Sequence, residues 1–276
     1  MAYEGRFESH DGLDFFERRW DAETDAAAHV VLVHGYGEHC SRYAHVGAAF
    51  GARGLTVHTY DQRGFGRSPG KRAYIADFDL LLSDLDVFIE HVRPSFAGKP
   101  WFLMGHSMGG LVVARYAQTR GLDAQGLVFW SPFLGFTDDV SPLLLRVAAL
   151  LGVIAPWLPV GAVDNAGLSR DPAIVEAANN DALAFHGRTV ARTGSQFYKA
   201  ITAAHAGASR ITLPAYLTHG SADSIVPKEG TRRLHDALGS ADKTLVVYEE
   251  GYHELWNDLE KEKVIEATID WMHAHV

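Results

Sequence analysis

Six short apolar segments recur along the chain, and they constrain its fold more than any other feature. Residues 30–35, VVLVHG, form an apolar run that ends in glycine, which is typical of a strand buried on both faces of a sheet. Comparable runs occupy residues 55–61, 100–106, 126–132, 214–220 and 244–250. Helical patterns separate most of these runs. Alternating buried strands and helices predict an α/β fold, in which a mostly parallel sheet is covered by helices on both faces.

The clearest helical pattern lies between the second and third runs. Its apolar side chains stand at positions 78, 81, 82, 85, 88, 89 and 92, and acidic residues such as Asp84 fall off this stripe. Pro94 ends the pattern. Near the N-terminus, residues 3–20 read instead as two short strands that fold back at Asp11-Gly12, a strong hairpin signal. We expect this hairpin to add antiparallel strands at one edge of the sheet.

The composition is that of a soluble globular chain, and it limits the partners that the chain can bind. The 276 residues are 47% hydrophobic and 21% charged, which is compatible with one large core, so we expect a single domain over 1–276. Lys and Arg number 25 against 34 Asp and Glu, and the resulting charge of −9 argues against nucleic acid. The single Cys40 excludes an intramolecular disulfide and a cysteine-rich metal cluster. A polar N-terminus without an apolar signal segment favours a reducing, cytoplasmic location.

The strand pattern stops between residues 133 and 207, where helical patterns and turns replace it. An insertion of this length between two sheet strands is usually functional, and we interpret it as a helical cap, or lid, over a site. An apolar stripe in this segment consists of Leu143, Leu144, Val147, Leu150, Leu151 and Ile154. Only nine uncharged residues lie between Arg146 and Pro156, so the stripe is too short to span a membrane. Two interpretations stay open: a buried helix of the cap, or a helix that faces lipid.

The segment Gly105-His106-Ser107-Met108-Gly109 fits the pattern G-x-S-x-G. It directly follows the apolar run PWFLM and precedes a helical pattern, so it has the strand–turn–helix context that a nucleophile elbow requires. The flanking glycines allow the backbone segments to approach each other, and the turn presents the Ser107 hydroxyl at the carboxyl edge of the sheet. A serine that only caps the helix is the alternative.

A serine hydroxyl becomes a nucleophile when a histidine takes its proton and a carboxylate orients that histidine. His253 follows the last apolar run and Asp223 follows the run before it, so both stand at carboxyl ends of strands, as Ser107 does. This order of nucleophile, acid and base is that of the α/β-hydrolases. His219 is the main rival for the base, and Glu249 and Glu250 are alternative acids.

Ester hydrolysis also requires donors for the oxyanion of the tetrahedral intermediate. The backbone amide of Met108 is one candidate, and that of Tyr36, in the glycine-rich loop after the first apolar run, is the other. This loop does not match the nucleotide-binding pattern G-x-G-x-x-G, because Cys40 occupies the position of the third glycine. A metal site at His34, Glu38 and His39 matches no established ligand spacing. We therefore expect neither metal nor cofactor.

Four blocks of the chain, in order, resemble the monoacylglycerol lipases and their lysophospholipase-like relatives. They are the HGYGEH segment 34–39 with Arg42-Tyr43, the D-x-R-G-x-G-x-S segment 61–68, GHSMGG at 105–110 and GSAD at 220–223. The cap segment from 168–170 to 180–181 is similar as well. The resemblance implies an α/β-hydrolase fold with a cap, the same three catalytic residues and the same two oxyanion donors.

The resemblance also implies that Glu38 and Arg42 shape the polar end of the site, where glycerol leaves. One position departs from the family: animal monoacylglycerol lipases carry a second histidine three residues past the catalytic one, and Trp256 stands there in this chain. The recognition of glycerol is therefore expected to differ.

The function that these features predict is that of a serine hydrolase acting on carboxylic esters of medium or long acyl chains. Monoacylglycerols and lysophospholipids are the expected substrates, and the apolar cap stripe would set the preference for chain length. Any contact with a lipid surface would go through the cap, because the acidic chain disfavours a purely electrostatic attachment. Two alternatives remain: an acyltransferase that uses the same acyl-enzyme, and a non-catalytic ligand-binding protein on the same fold.

Overall fold

The strands of the fold are short, and eight of them join into one sheet. The structure is a computed structural model that describes residues 2–137 and 151–276. Its strands are β1 (Tyr3–Glu8), β2 (Asp14–Trp20), β3 (Ala28–Val33), β4 (Leu55–Tyr60), β5 (Trp101–His106), β6 (Gly126–Trp130), β7 (Pro159–Gly161), β8 (Thr189–Val190), β9 (Ala215–Gly220) and β10 (Lys243–Tyr248). The main sheet has the order β1-β2-β4-β3-β5-β6-β9-β10. Only β1–β2 and β2–β4 pair antiparallel in it, so the predicted parallel sheet and the edge hairpin are confirmed.

Helices cover both faces of this sheet, as predicted. They are α1 (Ala44–Ala52), α2 (Asp79–Val92), α3 (Met108–Thr119), α4 (Pro172–Asn180), α5 (Ala191–Ala206), α6 (Lys228–Ala237) and α7 (Lys261–His273). Side chains of β3 alternate between two cores: Val31 and Val33 pack with apolar residues of α2 and α3, whereas Val30 and Leu32 pack with those of α1 and α7. This alternation is the consequence of a strand that is buried on both faces.

The polar block 61–68 holds together the loop that follows β4. Asp61 Oδ1 accepts the amide of Cys40 at 2.8 Å, and Asp61 Oδ2 accepts the amide of Arg67 at 2.7 Å. Arg63 donates from Nε and Nη2 to the two carboxylate oxygens of Asp84, at 2.9 and 2.6 Å. The pattern assigns Asp84 to the polar side of α2, but this carboxylate is buried, and the ion pair with Arg63 explains how the protein tolerates it.

The segment between β6 and β9 lies against the loops at the carboxyl ends of the parallel strands. Its described part contains a helical stretch at 151–154, α4, α5 and the antiparallel pair β7–β8, whose two- and three-residue strands are too short to produce a recognisable pattern. The amide of Phe185 donates to Gly37 O at 2.8 Å, and that of Glu254 donates to Leu168 O at 2.8 Å. The boundaries 133–207 for a cap remain a prediction. Four residues of the predicted cap stripe, Leu143, Leu144, Val147 and Leu150, lie outside the described residues.

Two histidines are buried side by side where β3 and β4 pair. His29 Nδ1 lies 3.0 Å from His58 Nε2, and the ring of Phe96 stacks on His29 at 4.8 Å between centroids. Burial, which disfavours the charged imidazolium, lowers the pKa of His29 to about 4 and that of His58 to about 3. Both rings are therefore neutral in the folded protein at pH values where the unfolded chain already binds protons.

This pair predicts a loss of stability in mild acid. The unfolded histidines take up protons as the pH falls through about 6.5, while the folded ones stay neutral down to about pH 4, so the free energy of unfolding falls over that interval. Between pH 7.5 and pH 5 the loss is up to about 2 kcal/mol per histidine. Urea unfolding of the wild type and of His58→Leu at both pH values measures it. The variant is expected to lose about 2 kcal/mol less than the wild type, and parallel losses in the two proteins would refute the assignment.

Candidate active site

Ser107 occupies a strained turn between β5 and α3. Its backbone has φ 52° and ψ −117°, in the left-handed region that side-chain-bearing residues rarely adopt. The turn leaves no room for side chains beside it, since a Cβ on Gly109 would lie 2.0 Å from Val33 O and one on Gly105 would lie 2.4 Å from the Gly109 backbone. The strand–turn–helix elbow that the glycine spacing predicts is thus present.

The loops after β9 and β10 bring together the predicted acid and base. His253 Nδ1 lies 2.7 Å from Asp223 Oδ2, and the amides of Ile225 and Val226 each donate to Asp223 Oδ1 at 2.9 Å. Burial by itself raises the pKa of Asp223, but the neighbouring rings of His253 and His219 hold that pKa well below its usual range. The carboxylate is therefore ionised across the physiological pH range.

Ser107 and His253 line one cavity. In the described part of the chain, no hydrogen bond joins the two side chains; such bonds are often long or poorly aligned before substrate binds. Of the alternative acids, Glu249 accepts the Ser221 hydroxyl at 3.1 Å, and the Glu250 side chain is 82% exposed. Only Asp223 is shown at hydrogen-bond distance from His253 among these three.

The loop after β3 lies directly beside Ser107. A Cβ placed on Gly35 would be 3.2 Å from the Ser107 Cβ, and Gly37 has a φ of 82°, so glycine is required at both positions. Within residues 2–137 and 151–276, the amides of Tyr36 and Met108 donate no hydrogen bond. Met108 is also the first residue of α3, where the helix leaves its amides unpaired. Both amides are free to bind an anion.

The Glu38 side chain connects this loop to the elbow through hydrogen bonds. Its Oε1 accepts the Gly35 amide at 2.6 Å, the Tyr43 hydroxyl at 2.8 Å and His106 Nδ1 at 3.0 Å. Its Oε2 accepts Arg42 Nη1 at 3.2 Å. Burial opposes ionisation, but His106 and Arg42 hold the pKa of Glu38 below its usual range. Both oxygens are thus engaged inside the protein, a structural role that no sequence pattern predicts.

Arg42, like Glu38, is held in place by contacts inside the protein. Its guanidinium binds both carboxylate oxygens of Glu254, with the shorter contact 2.5 Å and the other 2.8 Å. The indole of Trp256 is fully buried, stacks on Tyr43 at 4.1 Å between centroids, and lies with its ring 5.6 Å from the Arg42 guanidinium carbon. Glu254 immediately follows His253, and no sequence signal identified it as the partner of Arg42.

The cavity above Ser107 has a volume of about 990 Å³. Both Glu38 and Arg42 line it, and so does Leu151 from the predicted stripe, whereas Ile154 is 68% exposed and is not part of its wall. The apolar wall includes Phe133, Phe136, Leu151, Val160, Val163, Leu168, Phe185, Phe197, Ile225 and Val226. Polar groups line it as well, namely Asp164, Asn165, Asn179, His186, Thr189 and Ser224. This mixture suits a ligand with a long apolar part and a small polar part.

One cluster outside the catalytic cavity has the donor types of a metal site. His10, Asp11 and Asp84 place ligand atoms within 4.8 Å of one another, the one such group found over 2–137 and 151–276. Arg63 donates to both carboxylates, including 2.7 Å to Asp11 Oδ2, so these two groups already have a cationic partner inside the protein. Neither Ser107 nor the Asp223–His253 pair belongs to it.

Comparison with known proteins assigns the chain to a family. Residues 24–260 match the Hydrolase_4 family model, described as serine aminopeptidase, S33. The chain is 35% identical to a monoacylglycerol lipase of Mycolicibacterium smegmatis, over 93% of this chain and 92% of that protein. It is 33% identical to the monoglyceride lipase of Rattus norvegicus, over 90% and 82% of the two chains. The crystal structure of the monoacylglycerol lipase of Paleococcus ferrophilus superposes with a TM-score of 0.82 and 33% identity over the whole of both chains.

The nucleophile elbow, the amides of Tyr36 and Met108 and the cavity are consistent with these similarities. The predicted α/β-hydrolase fold is confirmed. This chain belongs to the Hydrolase_4 family, and it is a carboxylic ester hydrolase related to the monoacylglycerol lipases.

Proposed function

We propose that this enzyme hydrolyses monoacylglycerols with medium or long acyl chains, and that Ser107, His253 and Asp223 form its catalytic triad. The observation that carries the proposal is the 2.7 Å contact between His253 and Asp223 at a cavity that also contains the strained Ser107. Relatives named monoacylglycerol lipase and monoglyceride lipase, 35% and 33% identical to this chain, support the choice of substrate.

In the first half of the reaction, Ser107 Oγ attacks the ester carbonyl while His253 Nε2 takes the hydroxyl proton. Asp223 stabilises the imidazolium that forms, and the amides of Tyr36 and Met108 bind the oxyanion of the tetrahedral intermediate. When the intermediate collapses, His253 returns the proton to the glycerol oxygen, and the acyl group stays on Ser107. Water then attacks the acyl-enzyme by the same route and releases the fatty acid, so that atoms and protons balance without a cofactor.

The walls of the cavity suit the two parts of this substrate. About 990 Å³ lies at the upper end of the roughly 300–1,000 Å³ typical of small-molecule sites. The acyl chain would lie against the phenylalanine and leucine side chains of its apolar wall. Glu38 and Arg42 would shape the polar end from which glycerol leaves, by fixing the loop at 35–38 and the loop after β10.

We also propose that the cap contacts the lipid surface that supplies the substrate. Large apolar side chains are exposed in a row on it: Val153, Ile154, Trp157, Leu158, Val160 and Val163. Trp157 is 54% exposed, and such amphipathic rings favour the interface between water and lipid. None of the described helices combines the length and the apolar composition needed to cross a membrane.

A substrate panel tests both statements. We expect monoacylglycerols of 8 to 18 carbons to be cleaved to fatty acid and glycerol, with kcat/KM at least about 10-fold higher than for lysophosphatidylcholine, since the cavity offers polar groups but is not enriched in cations for a phosphate. The double variant Ile154→Ser/Trp157→Ser is expected to lose rate on substrate embedded in vesicles and to keep it on a short-chain ester in free solution. Leu259→Ser, which changes an equally exposed side chain outside the cap, is the matched control.

Three outcomes would contradict the proposal. The first is an absence of turnover with every monoacylglycerol. The second is acyl transfer to added glycerol with no fatty acid released, which would identify an acyltransferase. The third is an equal loss on vesicles and in free solution for the cap variant, which would show damage to the site instead of lost lipid contact.

A further inference from the structure

Asp223 has a second histidine beside it, and the proposed triad does not use this residue. His219 lies on β9, is fully buried, and places Nε2 3.1 Å from Asp223 Oδ2, the same oxygen that faces His253. Its Nε2 also lies 3.0 Å from Val226 O, and its Nδ1 lies 2.7 Å from Thr231 Oγ1 on α6. Both nitrogens of a buried ring are thus occupied inside the protein, so His219 is not a base that reaches substrate.

The partners of His219 fix its tautomer. A backbone carbonyl only accepts hydrogen bonds, so Nε2 must carry a proton to interact with Val226 O. The neutral ring then has its lone pair on Nδ1, where it accepts the hydroxyl proton of Thr231. In this tautomer the positive N–H edge of His219 faces both Val226 O and the carboxylate of Asp223.

Val226 forms hydrogen bonds with both His219 and Asp223. Its carbonyl accepts the N–H of His219, while its amide donates to Asp223 Oδ1 at 2.9 Å. His219 therefore anchors the turn 223–226 that holds one carboxylate oxygen, and it lies directly against the other oxygen. The strand that carries His219 ends only three residues before Asp223.

We propose that His219, itself oriented by Thr231, is a positioning residue that holds the Asp223 carboxylate in line with His253. This inference rests on the proposed triad. Without the His219 contact, the turn 223–226 loses its anchor and the Asp223 carboxylate gains freedom to rotate. The imidazolium of His253 is then stabilised less in the transition state. The loss therefore falls on kcat, whereas substrate binding stays unchanged.

Four variants test the proposal against a purely structural role. His219→Leu removes both ring nitrogens at similar volume, and Thr231→Val removes only the hydroxyl that orients the ring. His219→Gln keeps an N–H at the same number of bonds from the backbone as Nε2. His58→Leu, an equally buried histidine on another strand, is the control for loss of a core imidazole.

For monoacylglycerol hydrolysis we expect His219→Leu to lower kcat at least about 10-fold with KM changed by less than about 2-fold. Thr231→Val should lower kcat by a smaller factor, His219→Gln should restore most of it, and His58→Leu should keep the wild-type value. A second readout is the far-downfield proton resonance of the hydrogen bond between His253 Nδ1 and Asp223. We expect this resonance to broaden or shift in His219→Leu and Thr231→Val and to persist in His219→Gln and His58→Leu.

The resonance reports on the position of Asp223 even if the enzyme cleaves no ester, so failure of the proposed function and failure of this inference are distinguishable. Unchanged kcat and an unchanged resonance in both His219→Leu and Thr231→Val would overturn the inference. A Gln variant as impaired as the Leu variant would do the same, because shape alone would then matter. If His219→Leu does not fold, the comparison of Thr231→Val and His219→Gln with the wild type decides the question.

Discussion

Ser107→Ala is expected to lower kcat for ester hydrolysis by about 10⁵- to 10⁶-fold, the loss that follows removal of a triad nucleophile. The side chain that forms the acyl-enzyme is gone, while the amides of Tyr36 and Met108 can still polarise the substrate carbonyl. Little else should change, because alanine meets the same backbone strain at φ 52° as serine does. The free energy of unfolding and the KM for monoacylglycerol should stay close to the wild-type values.

Ser131→Ala is the matched control for this loss. Ser131 is also a buried serine that follows a strand of the sheet, it has a positive φ of 40°, and its hydroxyl has no hydrogen-bond partner among the described residues. We expect this variant to keep the wild-type kcat within about 2-fold. Retention of more than about 1% of the activity in Ser107→Ala would rule out the assigned nucleophile.

Glu38→Ala is expected to destabilise the protein by about 3–5 kcal/mol and also to lower kcat. The change leaves the Gly35 amide, the Tyr43 hydroxyl and the His106 ring without their shared acceptor inside the protein. Each buried donor that loses its partner costs about 1–3 kcal/mol. Because Gly35 precedes the proposed oxyanion donor Tyr36, the loop should also lose its position relative to Ser107.

Urea unfolding and steady-state kinetics measure the two effects of the Glu38 change. Glu38→Gln keeps one oxygen acceptor at this place and should lose less stability than Glu38→Ala. Glu266→Ala removes a half-exposed carboxylate that pairs with Arg53 at the surface, where such pairs contribute about 0–1 kcal/mol, and it is the control. Equal stability losses in Glu38→Ala and Glu266→Ala would contradict the assigned role of Glu38.

The parallel strands of the sheet, its edge hairpin and the positions of the three proposed catalytic residues follow from local sequence patterns. Strands buried on both faces leave continuous apolar runs, and the elbow needs glycine on both sides of Ser107 because backbone atoms lie within about 2.4 Å of where their Cβ atoms would be. Asp223 and His253 could be predicted because parallel strands place their carboxyl ends at one edge. These signals depend only on short segments and on the topology.

The groups that hold the site in place could not be predicted in this way. Glu38 is a residue expected at the glycerol end of the site. It forms hydrogen bonds with Gly35, Tyr43 and His106 because of how three loops pack together. The spacing of residues in the sequence does not indicate this packing. Likewise, Glu254 meets Arg42 across 212 residues of chain. The short pair β7–β8 and the buried Asp84 were missed because tertiary contacts, not periodicity, determine them.

We propose that Ser107 is the residue acylated during the reaction, and that His253 and Asp223 activate it. The most direct test is to react the wild-type enzyme with a fluorophosphonate and locate the adduct by tandem mass spectrometry. We expect one adduct per chain, on Ser107, with a labelling rate that falls at least about 100-fold in His253→Ala and no adduct in Ser107→Ala. An enzyme that cleaves monoacylglycerol but carries its adduct on another residue, or carries none, would contradict the assignment of Ser107 as the nucleophile.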